Sequence, residues 1–303
     1  MNATKSTTEL SNHSGAVISE MEIKKAVREH YAALVTTEEE SESCCAPTSC
    51  CESSGIEEAL KGNFAALAGY TEEQISQIPA DAVENSFGCG NPLALAEINE
   101  GDVVLDLGSG AGIDVLLASK RVGPNGKAIG LDMTPEMIEK ARRNAEKIGA
   151  DNVEFRLGEM EAMPVESNSV NLIISNCVIN LSPDKDKVFS EAFRVLKPGG
   201  KMMVSDIVAK NLPEAIKSDM NSWASCVAGA LEEEDYLEKI RRAGFADVAI
   251  VDKAKFDLDI LEDSCCDILD AIGEEAMAEV AANLDKIEVA SIKVSATKPN
   301  GVQ

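Results

Sequence analysis

The sequence predicts an α/β fold, a largely parallel sheet with helices on both faces, carrying a cysteine-bearing N-terminal arm and a C-terminal cap region. Three observations lead there. Between Asp102 and Asp206, short apolar runs alternate with helical segments in the order of a parallel sheet with crossover helices. The first of those runs turns through Asp106-Leu107-Gly108-Ser109-Gly110-Ala111-Gly112 directly into a helix. Six of the nine cysteines stand as adjacent pairs outside this block, at 44–45, 50–51 and 265–266. The chain accordingly divides into an arm with a cysteine-rich loop (1–85), a central sheet domain (86–210) and a cap region (211–303).

Taken in order, residues 1–15 are polar and without periodicity, a frayed start. Ser19 with Glu22 makes a capping box, and Ile23, Ala26, Val27, Tyr31 and Leu34 recur at helical spacing. From Thr36 to Gly55 the acidic, serine-rich, cysteine-bearing stretch around Pro47 reads as a loop. Thr71 and Gln74 open a short helix closed by Pro79, and Asn91 before Pro92 opens LALAEI as another. The run from Val103 to Leu105 is the first strand, and IDVLLASK the helix after the glycine loop. The second strand, KAIGLD, stops at Asp132. Thr134 as cap, Pro135 as first residue and Gly149 just past the end bracket the next helix. NVEFRL, SVNLIISN and KMMVSDIV are further strands, the last preceded by the helix DKVFSEAFRVL and the turn KPGG. Beyond Asn211, EAIKSDMNSWASCVAGAL and EEEDYLEKIRRAG read as helices, and ADVAIVD and EVASIKVSAT as strands able to pair antiparallel at the sheet edge.

Composition narrows the function. With 53 acidic against 28 basic side chains, the 303-residue chain has a formal charge of −25, which repels phosphate backbones and anionic lipid. No nucleic-acid or membrane partner is expected. No apolar run approaches the roughly 18 residues of a membrane span, and the first 15 residues lack a secretory core, so a cytoplasmic location is expected. Nine cysteines cannot pair completely within one chain, and a core built from 45% hydrophobic residues needs no disulfide framework. Thiol chemistry is the better expectation.

The glycine loop lets the backbone approach a ligand closely, and the helix start behind it offers unpaired N–H groups. Asp132, ending the next strand, can accept both hydroxyls of a ribose. The pattern D-x-G-x-G-x-G lacks the third glycine of the dinucleotide register, so the ligand need not contain a pyrophosphate.

On VLDLGSGAG, LDMTPEMI and FRVLKPGGKMMVSD, the stretch from Gly88 to Asp206 resembles class I S-adenosylmethionine-dependent methyltransferases. That resemblance implies a Rossmann-like class I methyltransferase sheet, with S-adenosylmethionine as cofactor. By position it implies Asp106, Gly108, Ser109 and Gly110 around the methionine part, Asp132 at the ribose and Met133 beside the adenine. Glu159, Met160 and Glu161 then lie near the adenine ring and its amino group, and Asn176 at the end of the fourth strand. Which of the two glutamates makes that contact stays open. The phrases CGNP, GSGAGID and NCVINLSPDK, with cysteines in the arm, narrow the resemblance to arsenite S-adenosylmethionine methyltransferases. Carried over by position, this implies arsenic(III) held by Cys177 and Cys226, Cys89 as a relay and disulfide partner, and an arm cysteine, Cys44 or Cys45, completing the set. It makes 86–210 the cofactor domain and 211–303 an arsenic-binding cap region.

Physical chemistry points the same way. Trivalent arsenic is a soft centre that prefers thiolates to oxygen or imidazole. Three sulfurs leave it a lone pair, which can attack a sulfonium methyl in line, and a nucleophile with no proton to lose needs no general base. Only His13 and His30 could supply an imidazole. Partners expected are arsenite or its thiol conjugate, and a thiol reductant of thioredoxin or glutathione type, with Cys265 and Cys266 either a product-release thiol pair or a spare metal site. Two rival readings are a carbon methyltransferase acting on a quinone or sterol precursor, and a thiol metalloid sensor or buffer without turnover.

Overall fold

The structure, a computed structural model, describes residues 19–41, 68–86, 88, 90–217, 223, 226–256 and 286–301. Helix α1 (Glu20–Ser41) starts at the Ser19–Glu22 capping box, in which the Glu22 carboxylate accepts from the Ser19 amide at 2.9 Å. It runs through Thr36 to Ser41, where the sequence suggests a loop: nothing in TTEEES breaks a helix, and the first breaker, Pro47, comes later. Short helices α2 (Glu72–Ile75), capped reciprocally by Thr71 and Gln74, and α3 (Ala80–Glu84) follow. Of LALAEI, expected as a helix, only a 3-10 turn at Pro92–Ala94 forms under the Asn91 cap.

Strands and helices then alternate: β1 (Val103–Leu107), α4 (Ile113–Val122), β2 (Lys127–Asp132), α5 (Pro135–Ile148), β3 (Val153–Leu157), β4 (Val170–Asn176), α6 (Lys185–Val195) and β5 (Leu196–Lys210). After α7 (Glu214–Lys217) and α8 (Glu233–Arg242) come β6 (Ala246–Lys255) and β7 (Glu288–Thr297). The sheet order is β3-β2-β1-β4-β5-β7-β6. The first five strands run parallel, whereas β7 pairs antiparallel with both β5 and β6. The last two strands do pair antiparallel, but β7 lies inside the sheet and only β6 forms its edge. Two strands of the 211–303 stretch thus continue the central sheet. KPGG is a bulge within β5, clasped by reciprocal backbone bonds of 2.8 Å between Gly199, Gly200 and Lys298.

Strand alternation explains the two-layer core. Leu105, Leu107, Ile129 and Ile173 pack on one face with Phe189 of α6 and Tyr236 of α8. Val104, Ala128, Leu172 and Ile174 pack on the other with α4 and α5. Because both faces are covered, the parallel strands read as near-continuous apolar runs. Truncating a fully buried leucine here is worth about 2–5 kcal/mol. A third cluster lies under α1 and brings Ile23 and Val27 against Cys177, Cys226, Leu181 and Ile207.

Candidate active site

Open parallel sheets bind ligands outside the carboxyl ends of their strands, at the point where strand order reverses. Here that point lies between β1 and β4, and a cleft of about 980 Å³, open to solvent, occupies it. Asp106, Gly108, Ser109 and Gly110 form its floor at the end of β1, with Asp132 and Met133 at the end of β2. Met160, Glu161, Asn176 and Cys177 line the remaining sides, and Lys24, Val27 and Tyr31 of α1 close over it. Glu159 does not line the cleft. Its carboxylate accepts from Lys24 at 2.7 Å, and Glu161, 3.1 Å from the same ammonium, is the glutamate turned inward.

Asp132 is fixed by the loop it faces, accepting from the Gly110 amide at 2.9 Å and the Thr134 amide at 2.8 Å. Gly108 holds φ +65, and a Cβ there would lie 2.6 Å from Val178. Burial raises the pKa of Asp106 well above the ordinary carboxylate range, with the nearby charges of Asp114 and Asp132 adding to it. Burial lifts Asp114 to about 6 against the hydroxyl of Tyr70, which donates to it at 2.8 Å. Asp132 is raised by burial and partly relieved by its backbone donors.

S-adenosylmethionine fits this cleft. The Ser109 hydroxyl is buried without a hydrogen-bond partner in the glycine cradle, and a Cβ at the neighbouring Gly108 would press on Val178 of the cleft lining. Three carboxylates suit a ligand that carries positive charge on its sulfonium and amino groups.

Asn176 organises the neighbouring loop. It accepts from the Gly90 amide at 3.0 Å, donates to the Gly90 carbonyl, and donates to the Tyr70 hydroxyl at 3.1 Å. A Cβ at Gly88 would lie 2.2 Å from Asn176, and one at Gly90 2.1 Å from the Ser205 hydroxyl, so the glycines flanking Cys89 permit this close approach. Cys89 lies outside the described residues, as do Cys44, Cys45, Cys50, Cys51, Cys265 and Cys266.

Cys177 follows β4 directly, its amide donating to the Ser205 carbonyl at 2.7 Å. Cys226 sits in a turn, not in the expected helix, and its sulfur donates to the Cys177 carbonyl at 2.6 Å. Both cysteines are buried in the same apolar cluster and are not joined by a disulfide. Both cysteines hold left-handed backbone, φ +62 and +63. His30 is exposed on α1, turned edge-on to Tyr31. Tyr31 and Lys24 escape a reading of local motifs, since they reach the cleft from a distant segment, and Tyr70 bears on it only through Asp114, which closes the GSGAGID phrase. The helical spacing of Tyr31 with Val27 is the signal that marks the first of them.

A methyltransferase-domain family model matches residues 98–244. A protein of Halobacterium salinarum named arsenite methyltransferase is 42% identical over 77% of the chain and 59% of its own length. Another of that name, from Aquipseudomonas alcaligenes, is 37% identical over 68% of the chain and 58% of its own length. The chain thus spans somewhat under two thirds of these curated relatives. The crystal structure of an arsenic(III) S-adenosylmethionine methyltransferase from Chlamydomonas reinhardtii is 34% identical, with a TM-score of 0.63, over 76% of this chain and 73% of that one.

Proposed function

The chain belongs to the arsenite S-adenosylmethionine methyltransferases, and from that premise we propose that it transfers a methyl group to trivalent arsenic held by Cys177 and Cys226. The observation that supports the reading is the contact of the Cys226 sulfur with the backbone of Cys177, which lines the cleft, from segments 49 residues apart. In this reading 86–210 holds the cofactor, 211–303 supplies Cys226, and the 1–85 arm adds Cys44 or Cys45. Asp132 holds the ribose, the loop around Gly108 and Ser109 the methionine part, and Met133, Met160 and Glu161 the adenine side. Bound S-adenosylmethionine supplies an electrophilic methyl on a sulfonium.

The thiols lose their protons to arsenic-bound hydroxyls, which leave as water, and the arsenic retains its lone pair. Methylation through that pair raises arsenic to the pentavalent state. Two further thiols, closing to a disulfide, return two electrons, and a reductant of thioredoxin or glutathione type reopens it. Cys89 is the proposed relay in that exchange. No imidazole enters the scheme, in keeping with the exposed position of His30.

The test is incubation of the purified protein with arsenite, S-adenosylmethionine and a thiol, with methylated arsenic and S-adenosylhomocysteine measured together. Cys177→Ser is expected to lower turnover by at least a hundredfold while leaving cofactor affinity within twofold, since its sulfur faces the substrate (~ by analogy with losing an essential reacting group). Loss of cofactor affinity with turnover retained contradicts the assignment.

A further inference from the structure

Tyr31 lies across the cleft from the strand ends and lines the same pocket as Cys177, Asp132 and Met133. Half-buried, it packs against the cluster containing Cys177, Cys226 and Leu181. Its hydroxyl hydrogen-bonds to the Cys226 side chain. A hydroxyl donor therefore stands beside a sulfur that gives up its own proton when arsenic binds.

Resting on the arsenic reading above, we infer that Tyr31 is a positioning residue whose hydroxyl donates to the Cys226 sulfur and holds it, beside Cys177, in the arsenic-binding state. When arsenite condenses with the two thiols, two As–S bonds replace two As–O bonds, and each thiol proton leaves with a hydroxyl as water. Cys226 then has no proton to give the Cys177 carbonyl, and the 2.6 Å contact between them loses its hydrogen. Tyr31 compensates, because a sulfur bonded to arsenic has no proton left to donate and can only accept, and the phenol hydroxyl donates to it. The same bond ties the middle of α1 to the thiol site, about two turns beyond Lys24.

Trp223 is the single tryptophan of the chain and precedes Cys226 by three residues, so its fluorescence can report arsenite binding. Tyr31→Phe keeps the ring and removes the donor. It is expected to weaken arsenite binding about fivefold, the loss of one hydrogen bond, with S-adenosylmethionine affinity by calorimetry falling by less than that. Tyr31→His, which restores a donor, is expected to recover part of the loss, as a purely packing role could not. Unchanged arsenite affinity in Tyr31→Phe, with the response abolished in Cys226→Ser, overturns the inference and leaves the thiol site standing. A response that survives Cys226→Ser as well overturns the reading beneath it. One measurement needs no variant: arsenite should move the ultraviolet Raman doublet of the three tyrosines toward stronger donation, and an unmoved doublet counts against the role.

Discussion

Five described residues other than glycine hold left-handed backbone. Asn168, Asn211 and Asp247 are of the types that tolerate it, because their side chains bond locally. Cys177 and Cys226 have no such relief, and each conformation costs about 1–2 kcal/mol. That the Cys226 sulfur also reaches the Cys177 carbonyl argues that the strain fixes how these two segments meet. The same geometry constrains Gly108, where a Cβ would meet Val178 at 2.6 to 2.8 Å and φ is +65. Gly108→Ala is expected to destabilise the chain by about 1–3 kcal/mol and to weaken cofactor binding at least tenfold (~1.4 kcal/mol). Thermal unfolding and calorimetry check the two effects, and an unaltered cofactor affinity would mean that the loop does not cradle the ligand.

Helix α1 gives the cleft its outer wall, and one ammonium holds its first turns down. Lys24 spans Glu159 and Glu161, and Glu161 in turn accepts from the Ser182 hydroxyl at 2.6 Å. Lys24 is about a fifth exposed and Glu159 about half, so the pairing is partly screened by solvent. Lys24→Met should therefore weaken cofactor binding only about threefold (under ~1 kcal/mol) at low salt. The difference from the unaltered chain should shrink toward none near 1 M salt, where screening reaches about 3 Å. A salt-independent difference would point to packing by the lysine stem instead. The capping box that starts α1 is plain in the sequence, whereas its contact with Glu159 and Glu161, over 130 positions away, is not.

At the scale of the molecule, the sheet buries charge as well as apolar surface. Asp206 on β5 accepts from the Tyr236 hydroxyl of α8 at 3.1 Å and from the Ile207 amide at 3.0 Å, joining sheet to helix. Burial raises its pKa from 3.8 to about 7, against the pull of Lys185, which burial lowers to about 8. The folded state thus keeps a proton that the unfolded chain gives up above 3.8, and stability from this group falls as pH rises from about 4 to about 7. Asp206→Asn removes that loss. Its stability relative to the unaltered chain should climb across the interval by a few kcal/mol (~1.4 per pKa unit), measured by urea unfolding from pH 5 to 7.5. A constant gap would show that the carboxyl ionises normally in the fold.

The alternating strands and helices, the glycine loop with Asp132, and the caps at Thr71, Asn91 and Gly149 were legible because each depends on neighbours within a few positions. Local signals also misled: LALAEI has helix-forming residues and a good cap, yet Leu93 is fully buried against the sheet and the turn stops after Ala94. Cys226 sits among residues that favour helix, but the turn there presents its sulfur to Cys177. Sequence by itself determined the fold class and the glycine loop at the end of the first strand, and it singled out the cysteines as candidates for chemistry. The tertiary structure alone decided that β7 inserts between β5 and β6, that Glu161 and not Glu159 faces the cleft, and that Tyr31 meets Cys226. Those outcomes turn on packing between distant segments, whose energies are set by burial and shape and leave no periodic trace along the chain.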